Sequence, residues 1–209
     1  MKKRLLLCVI LGLAILGLGC KIDPAAFQQS IRRLDIWADG WEEYGTGGCT
    51  AWSINEPLGY WITAAHCADH LFPLTIDGEV AQVVRVDQGA DLALLQGPHR
   101  YALRVSPTKP RVREHVLLVG YWGGSDLMTM AEGEIIEHDR PYPTTPVIWI
   151  HNMVVRLPYA PLRGTSGGPV FDGRGNVVSV MQGFECETCG MMATWTDLRV
   201  FTMSYKEKW

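Results

Sequence analysis

From residue 48 onward turn pairs cut the chain into short apolar runs, and this rhythm limits the fold more than any other feature. The runs cover residues 48–54, 60–64, 75–87, 92–96, 116–121, 130–138, 147–155, 169–171, 177–182 and 192–196. Between them stand Asn55-Glu56-Pro57, Asp77-Gly78, Gly123-Gly124 and Asp172-Gly173-Arg174-Gly175-Asn176, residue types that favour turns through positive φ, a fixed φ or local side-chain hydrogen bonds. A βαβ sheet alternates its strands with helical patterns of ten to fifteen residues, and these runs show no such regular alternation. Regular short strands predict an all-β fold, an antiparallel barrel pair. The linker 98–110, rich in proline and charge, marks the boundary. We assign residues 41–104 to an N-terminal barrel and 105–209 to a C-terminal one.

Residues 24–37 break the pattern. Phe27, Ile31 and Leu34 stand at spacings of four and three, with Gln28, Arg32 and Arg33 elsewhere, which predicts a short amphipathic helix. We place it in a spacer, residues 21–40. Upstream, Lys2, Lys3 and Arg4 form a positive start, and residues 5–19 an uncharged apolar run, the pattern of an export signal over residues 1–20. The run falls short of the roughly 20 apolar residues of a comfortable membrane span, although a retained anchor is an alternative. Leu16-Gly17-Leu18-Gly19-Cys20 is similar to a bacterial lipoprotein cleavage box, whose cysteine is lipidated, with Gly17 in the place of the usual leucine. The expected location is outside the cytoplasm, attached to the cell envelope through the N-terminus or secreted. Net charge is -3 and no Lys/Arg run follows the N-terminus, so nucleic acid is not expected as a partner.

Three separated segments carry groups that make one chemistry. Thr63-Ala64-Ala65-His66-Cys67 comes first, Asp91-Leu92-Ala93-Leu94-Leu95 second and Gly164-Thr165-Ser166-Gly167-Gly168-Pro169 third. A serine hydroxyl is a poor nucleophile at neutral pH; it needs an imidazole to take its proton and a carboxylate to hold that imidazole in the right tautomer. The order His, Asp, Ser separates this chain from two other architectures that use the same groups. In motif, order and spacing, residues 45–185 resemble the chymotrypsin-like (trypsin-like) serine proteases.

That resemblance implies two six-stranded antiparallel β-barrels with the active site in the cleft between them. His66, Asp91 and Ser166 are then the catalytic triad, and the N–H groups of Gly164 and Ser166 form the oxyanion hole. Glycine suits position 164 because a side chain there would obstruct the approach or forbid the backbone angles. Acyl transfer to a serine needs no metal or organic cofactor, and none is expected. The expected partner is a protein or peptide substrate. By resemblance the first specificity pocket is lined by Ala160 and Arg163 ahead of the serine and by Gln182, Gly183 and Phe184 on a neighbouring strand. No acidic residue stands in 159–163, which argues against a Lys or Arg preference and for a small or apolar side chain. Arg163 reads as a solvated edge residue. Thr165 departs from trypsin and its zymogen relatives, which carry there an aspartate that pairs with a newly cut amino terminus. Activation by that insertion is not expected, and the loop is closer to bacterial-type members.

Cys8 and Cys20 fall in the export segment, leaving Cys49, Cys67, Cys186 and Cys189. Cys49 and Cys67 match the pair that, in trypsin-like proteases, ties the strand before the histidine to the histidine loop. Cys186-Glu187-Thr188-Cys189 reads as a local disulfide, with a redox pair or half of a four-cysteine metal site as alternatives. His70, His99, His115, His138 and His151 are not at metal-ligand spacings and read as structural. Trp37, Trp41, Trp52 and Trp61 are expected to pack the first barrel, Trp209 to dock the C-terminus, and residues 203–209 to form a tail. Two functions fit: an exported serine endopeptidase, or a noncatalytic or single-target binding protein that retains the protease fold.

Overall fold

The computed structural model describes residues 24–36, 47–55, 57–68, 73–122, 127–143, 149–159 and 163–206. The export segment with Cys8 and Cys20, the spacer residues Trp37 and Trp41, the turn pair 123–124, and His70, Ala160 and Trp209 lie outside the described residues. Twelve strands are described. The first closed barrel joins β1 (Ile31–Ile36), β2 (Gly47–Asn55), β3 (Tyr60–Thr63), β6 (Leu92–Gln96), β5 (Glu79–Asp87) and β4 (Leu74–Ile76) in that order. The second joins β10 (Pro169–Phe171), β11 (Val177–Cys186), β12 (Cys189–Ala193), β9 (Trp149–Arg156), β8 (Met128–Pro143) and β7 (His115–Tyr121). All strand pairs within the barrels are antiparallel, and closure leaves no free sheet edge.

The apolar runs are continuous rather than alternating because the strands facing the cleft are buried on both sides. In β6, Ala93 and Leu95 pack inside the first barrel with Leu34, Trp61 and Ile76, whereas Leu92 and Leu94 point the other way. They meet Trp52 and Ile62 of their own barrel and Leu117, Val119, Phe171 and Val180 of the second. The interior of the second barrel holds Val116, Leu118, Ile135, Met153, Val170 and Met181. Trp52 and Trp61, both 0% exposed, thus serve different cores, the first between barrels and the second inside one.

The expected N-terminal spacer helix is corrected. Helix α1 spans only Pro24–Ser30, and the chain continues as β1, which pairs with β2 and β4 and closes the first barrel. Ile31 and Leu34, three apart, share one face of a helix but take opposite faces of a strand. Here both faces are buried, Ile31 against the second barrel and Leu34 inside the first, so the strand satisfies both residues. Phe27 of α1 meets Phe171 edge-on, with ring centroids 4.6 Å apart, and anchors the helix between the barrels.

At the other end, a strand over 192–196 and a tail over 203–209 give way to helix α3, Trp195–Lys206. Thr194 caps it: its hydroxyl oxygen accepts the Asp197 N–H at 3.1 Å and lies 2.5 Å from the Asp197 carboxylate. Leu198 and Phe201 enter the inter-barrel core, and Arg85 of β5 reaches back over the Phe201 ring and to the Ser204 hydroxyl. No helix among the described residues is long and apolar enough to cross a membrane. The turn Asp77-Gly78 joins β4 to β5, both residues at positive φ (54° and 78°), as a two-residue hairpin requires. His138 is partly buried on β8, and desolvation, helped by the positive charge of Lys109, pushes its imidazole pKa down.

Two disulfides are present among the described residues. Cys186–Cys189 closes the tip of the β11–β12 hairpin, and Cys49–Cys67 links β2 to the short helix α2, Ala65–Ala68. The latter closes 18 residues of chain, and both its cysteines are buried. Replacing both by alanine is expected to cost about 3 kcal/mol, and so to lower Tm by about 6–12 °C. A differential scanning calorimetry trace unchanged from wild type would show that the crosslink constrains nothing the fold does not already hold.

Candidate active site

Strand pairing brings the histidine and aspartate segments together. Thr63 on β3 lies opposite Ala93 on β6, so the residues that follow Thr63 meet those that precede Ala93. His66 stands on α2 and Asp91 in the turn before β6, held there at φ 47°, a left-handed conformation that aspartate tolerates better than most residues. His66 Nδ1 lies 2.9 Å from Asp91 Oδ2 and 3.1 Å from Oδ1, and the His66 backbone N–H donates to Oδ1 at 2.9 Å. The ring and the main chain of one residue are thus gripped by one carboxylate. Its acceptor oxygens require the proton on Nδ1, which leaves Nε2 as a base. The imidazole is 47% exposed and the carboxylate 14%, an arrangement open to a substrate on the histidine side only.

Ser166 comes from the second barrel, in the loop before β10. The loop turns through Gly164 (φ 94°) and Gly167 (φ 83°) and is pinned by Gly167 N–H to Met181 C=O at 2.7 Å, Met181 N–H to Gly168 C=O at 2.8 Å and Gly168 N–H to Thr165 C=O at 2.9 Å. The Ser166 hydroxyl donates to the Gln182 backbone carbonyl at 3.3 Å. Among the described residues the N–H groups of Gly164 and Ser166 make no hydrogen bond, whereas those of Gly167 and Gly168 do.

Two polar residues that bind the halves together were not singled out from the sequence for this role. Gln182 is buried, and its side-chain amide crosses to the carbonyls of Ala90 at 2.6 Å and Asp91 at 3.5 Å, holding the aspartate turn from the opposite barrel. Thr50 on β2, also buried, bonds to the serine loop: its N–H to Ser166 C=O at 2.8 Å and its hydroxyl to Gly164 C=O at 2.9 Å. A hydroxyl residue inside the apolar run Cys49-Thr50-Ala51-Trp52 is the signal that marks such a position, since a buried hydroxyl needs partners. Of the specificity residues expected by resemblance, Arg163 is exposed, Gly183 half-buried and Phe184 an exposed aromatic at 56%. The Gln182 side chain is committed to the Ala90–Asp91 turn, so it is the carbonyl of that residue that faces Ser166. Cys49, His66 and Cys67 place donor atoms within 4.8 Å of one another, but the two sulfurs are bonded together and offer no thiolate to a metal.

Comparison with known proteins bears on the fold and the family. No curated protein sequence matches the chain. Among solved structures, the Rv3671c protease from M. tuberculosis in its active form superposes with a TM-score of 0.70, at 23% identity, covering 84% of this chain and 80% of that chain. An inactive mutant form of that protease gives 0.69 at 21% identity, covering 88% and 90%. A further inactive form gives 0.65 at 21%, covering 84% and 89%. At these identities the likeness is one of fold. The family described as the trypsin-like peptidase domain matches residues 45–180. That span holds the histidine, aspartate and serine segments and covers most of both barrels, and the chain belongs to this family of trypsin-like peptidases.

Proposed function

We propose that the protein is an exported serine endopeptidase that cleaves peptide bonds through Ser166, His66 and Asp91. The observation that carries this reading is the double grip of Asp91 on His66, which holds the imidazole in the tautomer whose free nitrogen can accept a proton. In the mechanism, the Ser166 hydroxyl leaves the Gln182 carbonyl and turns to His66 Nε2. Its oxygen attacks the substrate carbonyl as its proton passes to Nε2. The resulting oxyanion receives the two N–H groups of Gly164 and Ser166, which are not engaged elsewhere among the described residues. His66 returns the proton to the leaving amine as the carbon–nitrogen bond breaks, leaving an ester on Ser166. A water gives a proton to the same nitrogen and attacks the ester, and His66 returns that proton to the Ser166 oxygen as the ester bond breaks, which frees the acid and restores the serine.

The substrate is a protein or peptide, and the exposed Phe184 with the absence of an acidic residue from 159–163 favours a small or apolar residue at the cleavage site. The N-terminal signal supports action outside the cytoplasm, either at the cell envelope through a lipidated Cys20 or in free form. Intact-mass spectrometry of the folded, oxidised protein with a fluorophosphonate probe tests the reading. One adduct is expected, mapping to Ser166 in the digest. A folded protein that takes no adduct, or takes it elsewhere, would overturn it.

A further inference from the structure

Thr50, on the opposite barrel, holds the serine loop through both its main chain and its side chain. Thr50 is fully buried on β2 and spends every polar atom it has. Its N–H donates to Ser166 C=O at 2.8 Å, and its C=O accepts the Thr63 hydroxyl at 2.8 Å, three residues ahead of His66. Its own hydroxyl donates to Gly164 C=O at 2.9 Å and accepts the Tyr121 N–H at 2.8 Å. The neighbouring Cys49 is disulfide-bonded to Cys67, beside His66.

We propose that the Thr50 hydroxyl is a positioning residue that sets the oxyanion loop in its reactive form. The argument follows from the peptide plane that it holds. Gly164 C=O and Thr165 N–H share one rigid plane, and that plane pivots on a glycine at φ 94°, where no Cβ restrains rotation. That plane lies between the two proposed oxyanion donors, Gly164 N–H before it and Ser166 N–H after it, so its rotation changes the direction of one relative to the other. A hydrogen bond on the Gly164 oxygen stops this. Thr165, buried beside the pivot, has no charge, so an ion pair to this residue cannot lock the loop. The strand that completes the Thr50 site comes very close: a Cβ on Gly120 would lie 3.1 Å from the Thr50 hydroxyl oxygen and 3.0 Å from Thr165 Cα. The lock is therefore present as soon as the two barrels meet, without cleavage of the chain.

This inference rests on the serine-peptidase reading, and its test separates the two. Thr50→Val keeps the shape and removes the hydroxyl; Thr50→Ser keeps the hydroxyl. For a loop displaced by a fraction of an ångström, the valine variant is expected to lose on the order of 10- to 100-fold in kcat and in the rate of fluorophosphonate labelling, with KM within about twofold. The serine variant is expected to recover most of that loss. If the valine variant fails to fold, as judged by near-UV circular dichroism, the pair Thr50→Ala and Thr50→Ser replaces it. Labelling of the hydroxyl-free variant at the wild-type rate, or a serine variant as slow as it, overturns the proposal. Should wild type itself take no probe, the peptidase reading fails and amide hydrogen exchange decides the positioning role alone. Faster exchange across residues 163–168 in the hydroxyl-free variant only supports it, and equal exchange in all forms overturns it.

Discussion

Replacing Asp91 by asparagine is expected to lower kcat by about four orders of magnitude while the protein stays folded. Asp91 accepts two N–H groups from His66, one from the ring and one from the main chain. An asparagine has a single oxygen for the two. If that oxygen keeps the main-chain N–H, its NH2 group faces Nδ1 and selects the tautomer with the proton on Nε2. That nitrogen then has no lone pair for the Ser166 proton, and the base is lost although the ring has not moved. The fold should tolerate the change, because asparagine accepts the left-handed φ of 47° as readily as aspartate does, and Gln182 holds the turn through backbone carbonyls that the substitution leaves in place. Steady-state kinetics on a cleaved peptide, read beside a thermal melt, checks both halves. Activity within tenfold of wild type would mean that His66 does not act as a base oriented by this carboxylate.

Much of the architecture was readable from residue types because local chemistry and global fold agree there. The run Leu92-Ala93-Leu94-Leu95 has one reading as a short strand, and its lack of alternation already implies two buried faces. Asp77-Gly78 marks a hairpin because both positions need positive φ. Where two periods agree with the same residues, the sequence alone does not decide. The three-residue spacing of Ile31 and Leu34 suits a helix in isolation, and only the presence of a second barrel behind the strand makes both faces apolar. Helix α3 was missed for a different reason. Its start is written in Thr194-Trp195-Thr196-Asp197, a side-chain cap followed three residues on by an acid, but Trp195 and Thr196 also favour strands and lengthen the run before them. The contacts that cross the cleft lie deeper still. Thr50 and Gln182 gain their roles from the docking of two barrels, through contacts 71, 92 and 114 residues apart in sequence, distances over which no spacing rule operates.

The glycine after the nucleophile carries the second large effect. Gly167→Ala is expected to destabilise the protein by more than about 4 kcal/mol, at the far end of what single substitutions do. A Cβ at this position would lie 2.1 Å from the Thr50 carbonyl oxygen, 2.2 Å from the Thr63 hydroxyl and 3.0 Å from the Ala64 nitrogen, all on the other barrel. None of these can yield cheaply. Two are backbone atoms of the strands that present the disulfide and His66, and the third is the hydroxyl already bonded to the Thr50 carbonyl at 2.8 Å. On its own side, Gly167 is fixed by its N–H bond to Met181, so the loop cannot back away without breaking the ladder into β11. The positive φ of 83° adds roughly 1–2 kcal/mol for any residue with a Cβ. Gly173, whose Cβ would meet nothing within 4 Å, is the matched control, and Gly173→Ala is expected to be neutral to within about 0.5 kcal/mol. Urea unfolding of both variants reads the difference, and a Gly167→Ala midpoint equal to that of wild type would show that the barrels separate here at little cost. The expected loss places the demand for glycine in the docking of the barrels as well as in the chemistry. The residue beside Ser166 must let the strand that leads to His66 come within van der Waals contact, because a wider gap would carry the nucleophile away from its base.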